Sequence, residues 1–154
     1  MKTILHSVRL VLIALVLSFS FVSLPAQEAD SAFRSPEGAW RGPWTSPSGY
    51  LYLADMHLTV AADSTIEGYI NWTLKKSPNY SEISKLGQSG VEYIRGKYDP
   101  QSRVLTFAGY KKDDPNTILG LDKYKLIYAE NNKVIGGITW NHGAWTATFS
   151  LVRE

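Results

Sequence analysis

The chain contains no cysteine. Disulfides, thiolate metal sites and thiol nucleophiles are excluded, so stability has to come from packing and sheet closure. Histidine is scarce too, with three in all, and His6 lies in the N-terminal segment. The remaining pair, His57 and His142, is far apart in sequence, and no motif gathers the carboxylate that a zinc site would still need. No metal and no cofactor are therefore expected. An excess of one charge is also missing. Lys2 and Arg9 account for the surplus of the 16 basic residues over the 14 acidic ones, and everything after position 26 is balanced. Without a dense positive footprint, nucleic-acid binding is not expected.

The one long apolar run is at the start. Lys2 and Arg9 form a basic region, Leu10 to Leu17 is unbroken apolar sequence, and Pro25-Ala26 offers a small residue before Gln27. This is the pattern of a signal peptide over residues 1–26, and its apolar part, about 15 residues, is short for a bilayer span. Export with cleavage is the expectation, an uncleaved anchor the alternative. The mature chain would be secreted or periplasmic, without a stable membrane span. About 128 residues then remain, one domain by length. Residues 27–37 (QEADSAFRSPE) read as a flexible lead-in, and 38–154 as the folded domain.

What that domain has in plenty is aromatics and glycine in a regular beat. Gly38-Ala39-Trp40 and Gly42-Pro43-Trp44 open it, and Gly143-Ala144-Trp145 begins its last strand-like run. Gly68 to Trp72, Gly96 to Tyr98 and Gly136 to Trp140 repeat the alternation between them. Residues two apart on a strand share a face, so each glycine leaves room beside a large ring, as a tapering barrel interior requires. Eight strands are predicted: 39–45, 50–60, 65–74, 91–98, 103–110, 122–129, 133–140 and 144–153. Ile66, Gly68, Ile70, Trp72 and Leu74 mark the inner face of the third. Met56, Leu58 and Val60 mark that of the second, and Trp145, Ala147, Phe149 and Leu151 that of the last.

Turn chemistry supplies the connectivity. Asn131-Asn132 suits a two-residue type I′ hairpin, Asp99-Pro100-Gln101-Ser102 a type I turn, and Ala61 to Ser64 is equally short. Only Lys75 to Gly90 and Lys111 to Leu121 are long. In an up-and-down meander these are the third and fifth connections, so both emerge at one end. The predicted fold is an all-β, antiparallel, up-and-down eight-stranded barrel with one trimmed end and one elaborated mouth.

Gly38-x-Trp40 on the first strand, eight antiparallel strands and a basic residue, Arg153, at the end of the last resemble the calycin-like barrels, lipocalins and avidins among them. The resemblance implies that Arg153 packs across the face of Trp40 at the closed end, a cation–π contact of about 0.5–2 kcal/mol. It carries no biotin-contacting set, so no ligand is transferred with it.

At the mouth, the expected ligand-binding residues are Tyr50, Tyr52, Trp72, Tyr110, Trp140, Asn141 and His142. Apolar walls with a few convergent polar groups suit a small apolar or aromatic molecule. The alternative is a barrel packed solid by the same rings, working through its surface on another exported protein, with Tyr80 and Ile83 of the third connection as anchors. Lys75-Lys76 and Lys111-Lys112 open the long loops and either attract an anion or keep the rim soluble. Asp113, Asp114, Asn116 and Asp122 lack calcium-loop spacing and read as a turn. Asp55 and His57 share a polar face and read as solvated cross-strand residues. No catalytic constellation is present; Glu92 is the sole carboxylate near the rim that, if inward, would be a perturbed acid or an anchor for a cationic ligand. The expected protein is a monomer without an assigned activity.

Overall fold

The computed structural model describes residues 35–141 and 146–154. The expected signal peptide, most of the lead-in, His142 and Trp145 lie outside the described residues. Eight strands form one closed antiparallel barrel in sequence order. They are β1 (Gly38–Thr45), β2 (Leu51–Val60), β3 (Thr65–Lys76), β4 (Ser89–Asp99), β5 (Val104–Asp113), β6 (Lys123–Tyr128), β7 (Val134–Trp140) and β8 (Thr146–Arg153). A short 3-10 helix, Tyr80–Lys85, interrupts the connection between β3 and β4.

The alternation read from the sequence is the alternation observed. Met56 and Leu58 on β2, Ile66, Ile70, Trp72 and Leu74 on β3, and Ala147, Phe149 and Leu151 on β8 are all buried. The beat of small and large residues also holds where the backbones cross closely. A side chain at Gly96 would meet the Thr106 carbonyl, and one at Gly68 the His57 carbonyl. Those positions are empty because the neighbouring strand occupies them.

The three tight turns share one device. Ser64, Arg103 and Asn132 each take positive φ, at 65°, 57° and 57°, at the end of the β2–β3, β4–β5 and β6–β7 connections. Ala61 and Ala129 each accept the amide three residues on. The β6–β7 connection is therefore not the two-residue type I′ hairpin expected, because only Asn132 and not Asn131 has positive φ. A type I turn closed by one left-handed residue does the same work.

These turns sit at the closed end with Trp40, which is fully buried. The Arg153 guanidinium lies 4.2 Å from the Trp40 ring centroid. Its nitrogens donate to Asn132 O at 3.1 Å, Glu37 O at 2.7 Å, Ser35 O at 3.0 Å and the Tyr128 hydroxyl at 2.9 Å. Trp40 Nε1 donates to Pro36 O at 2.9 Å. Residues 35–37, the end of the expected lead-in, are thus bound across the barrel floor. Gly38 follows at φ 128°, with an Arg153 nitrogen 3.0 Å from where a Cβ would stand. Only glycine makes that turn under the guanidinium. Pairing of Trp40 with Arg153 and of Trp44 with Phe149 joins the first strand to the last. The ladder between them is interrupted at Gly42-Pro43, where proline has no N–H to give.

Replacing Arg153 by alanine removes the ring contact and four hydrogen bonds, for an expected loss of about 2–3 kcal/mol. Trp40→Ala empties a buried site at roughly 3–5 kcal/mol. Because each residue is the other's partner, urea denaturation of both singles and the double should show a coupling of about 1 kcal/mol or more. Strict additivity would show that the contact carries no energy of its own.

Candidate functional site

At the opposite end the core is incomplete. A cavity of about 210 Å³ opens there, lined by Trp44, Tyr50, Tyr52, Trp72 and Tyr124, by Glu82, Glu92 and Asp122, and by Ile118, Leu119, Gly120 and Asn141. Three of its rings form a corner. Trp44 and Tyr52 meet at 82° with centroids 5.5 Å apart, Tyr52 and Trp72 at 83° and 6.0 Å, and Trp44 and Trp72 at 78° and 6.4 Å. Below them Trp72 stacks on Phe149 at 5.3 Å, which begins the packed lower core.

The long loops form the rim. Asp114 organises the β5–β6 loop by accepting the amides of Ile118 at 2.9 Å and Leu119 at 2.8 Å, with Lys112 Nζ 3.2 Å from the oxygen that takes the Leu119 amide. This is a turn held by its own aspartate. The loop is fastened to the barrel where the Tyr52 hydroxyl donates to Ile118 O at 2.6 Å. Lys85 Nζ, from the 3-10 helix, donates to Thr117 O at 3.0 Å and ties the two long loops together. From the same helix Glu82 reaches the rim, accepting from Ser77 at 2.6 Å, with Tyr50 in hydrogen-bonding contact.

Glu92 points inward and is 2% exposed. It accepts from Trp72 Nε1 at 3.0 Å, the Tyr124 hydroxyl at 2.5 Å and the Asp122 amide at 3.1 Å. Its carboxylate occupies the space over Gly109, where a Cβ would stand 1.9 Å from Oε1. Every one of these donors is neutral. Burial raises the Glu92 pKa to about 7 despite the hydrogen bonds from Tyr124, Asp122 and Trp72, because none of the described residues beside it supplies a full counter-charge. Burial likewise pushes Asp122 up, against hydrogen bonds from Asn141 and Thr139. Trp44 Nε1 donates to Thr139 Oγ1 at 2.8 Å, which joins the first strand to this polar group. Burial also raises the Tyr52 and Tyr124 hydroxyls, so both stay neutral donors.

Of the expected mouth residues, Tyr50, Tyr52, Trp72 and Asn141 line the cavity. Tyr110 and Trp140 do not. On β5 the inward residues are Leu105, Phe107 and Gly109, so Tyr110 falls on the outer face, where a bulge near Tyr93 and Ile94 leaves it without an opposite residue. Tyr110 is 55% exposed on the outer wall beneath the Arg95 guanidinium. On β7 the inward residues are Ile135, Gly137 and Thr139, so Trp140 shares the outer face with exposed Ile138. The doubled Gly136-Gly137 puts a glycine on each face and hides which is inner. None of the four rim lysines lines the cavity. Lys111 lies over the Tyr93 ring at 5.1 Å. Asp55 pairs with Arg41 at 3.1 Å and His57 stacks on Tyr69 at 4.8 Å, both on the outer wall.

Trp44, Glu82, Asp122 and Tyr124 were missed as lining residues in the sequence. Trp44 had a signal in its Gly-x-Trp beat, and Tyr124 in its period-two strand. Asp122 and Glu82 had none, since loop geometry alone places them. No protein-family model, curated protein or solved structure matches the chain.

An acid whose pKa is higher folded than unfolded weakens the fold once it ionises. The Glu92 contribution is fully favourable below about pH 4.5, declines as pH rises to about 7, and is flat above that. The loss is on the order of 3 kcal/mol, with Asp122 acting in the same direction. Urea denaturation at pH 5 and pH 8 should show a less stable protein at pH 8, and Glu92→Gln should remove most of the difference. An undiminished pH slope in the variant would place the titration elsewhere.

Proposed function

We propose that this is an exported, calycin-like barrel that binds a small molecule carrying an aromatic or apolar ring at its mouth. The cavity of about 210 Å³ carries the reading, because it lies where the two long loops meet and is walled by five aromatic side chains. An engineered apolar cavity of about 150 Å³ accepts benzene, so one ring with a short substituent is the scale to expect. Few polar groups converge on it, and each is fixed by a partner, as in preformed ligand sites. Export is supported by the N-terminal segment, where Lys2 and Arg9 precede the apolar run Leu10 to Leu17 and Pro25-Ala26. The site is proposed as a binding site without assigned catalysis.

A second reading rests on the outer surface of the same loop. Tyr80 is 87% exposed, Ile83 49% and Leu86 41%, all in or beside the 3-10 helix. They would anchor another exported protein. Tyr80→Ser with Ile83→Ser should then abolish capture of that partner and leave the thermal midpoint nearly unchanged.

For the pocket, titration with 2-phenylethanol is the direct check. Trp44 and Trp72 are in the wall, so a saturable change in tryptophan emission is expected. Trp72→Phe should weaken the affinity several-fold and reduce the signal. A flat, non-saturating response together with a ligand-free native mass from the original host would argue for the surface module instead.

A further inference from the structure

We infer that the molecule taken at the mouth is an organic cation: a protonated amine on a short chain bearing one ring, with its ammonium against Glu92 and Asp122. This rests on the mouth being a ligand site and adds the charge and size of the ligand.

The lining supplies the first argument. It contains three carboxylates, from Glu82, Glu92 and Asp122, and among the described residues no lysine, arginine or histidine. The second is the ring geometry. Three rings meeting near right angles, Trp44, Tyr52 and Trp72, all face the cavity. A corner of that kind is how aromatic cages hold ammonium groups, through the negative faces of the rings. The third is the way Glu92 is held. Neutral donors fill three of its roughly four acceptor sites and leave one site and the whole charge uncompensated. An ammonium entering from the mouth supplies both.

Among the described residues, the neighbours of Glu92 offer no competing cation. Trp72 faces it from β3, Gly109 from β5, and Tyr124 and the Asp122 amide from the start of β6. Lys112 is its register partner on β5. The Lys112 ammonium is committed to Asp114 and the Leu119 carbonyl. Asp122 is the nearest like charge and Glu82 stands across the rim; both disfavour an anionic ligand. The burial that lifts the Glu92 pKa is reversed by an ammonium at the same place, so binding releases a proton.

Three probes of matched size separate the outcomes by calorimetry: phenethylamine, 2-phenylethanol and 3-phenylpropanoate. At pH 8 phenethylamine should bind at least tenfold more tightly than the alcohol, and the carboxylate least. Phenethylamine affinity should be about tenfold higher at pH 8 than at pH 6, as a proton leaves a group titrating near 7. Glu92→Gln should bring the amine to the level of the alcohol and abolish that pH dependence. Asp122→Asn, a second folded probe of the same charge, should weaken the amine selectively. Equal binding of amine and alcohol would overturn the cation and leave the pocket standing, as would preference for the carboxylate. Binding of none of the three by a folded protein would overturn both.

Discussion

The Arg153 guanidinium is the tie on which the barrel depends. It lies on Trp40, the first large residue of β1, while its own backbone ends β8. Its donors reach the carbonyls of Ser35 and Glu37 before the barrel and of Asn132 in the β6–β7 turn. One side chain therefore joins the two ends of the meander and covers the floor. A planar fork with five donors can do this, and a lysine with one point charge cannot. In a chain without cysteine, this contact joins the two ends of the barrel without a disulfide. It also removes the sheet's free edges, which would otherwise template association.

Closure at the floor shapes the mouth, because the same two edges meet there. With β1 locked against β8, Trp44 reaches across to Thr139 on β7, and its ring completes the corner with Tyr52 and Trp72. An open sheet would leave Trp44 on an edge. The cavity is thus a consequence of register set at the other end of the molecule, where Trp40 pairs with Arg153.

How much of this was legible in the sequence follows from the range of the interactions. Period-two alternation is local, so the inner faces of β2, β3 and β8 could be read directly. Connection lengths are local too, and counting them placed both long loops at one end. Failure began where alternation was not carried to the strand's end or was blurred by a doubled residue. Tyr110 shares the outward parity of Thr106 and Ala108 on β5, so its face was within reach of period two, whereas Gly136-Gly137 gives no parity to assign Trp140. The surroundings of Glu92 were out of reach because its partners, at positions 72, 122 and 124, come from β3 and from the start of β6, both distant in the chain.

The two ends solve one problem with opposite charges. At the floor, cations from Arg103 and Arg153 lie on Tyr128 and Trp40 and are met by carbonyls: Arg103 Nε donates to Tyr128 O at 2.8 Å, and Arg153 to three more. There the rings and dipoles complete the solvation that burial removes. At the mouth the rings are similar, but the buried charge is negative, and ring faces repel it. Glu92 can use only the edges and polar tips of those rings, the Trp72 N–H and the Tyr124 O–H. Aromatic faces attract a cation and are of no use to the carboxylate. An apolar side chain over Gly109 would pack the same space without the penalty of a buried acid. The floor is therefore arranged for stability, whereas the mouth carries a destabilising acid beside aromatic walls and a cavity. That combination is absent from the end that Arg153 closes, and it is the physical basis for proposing a binding site at the mouth.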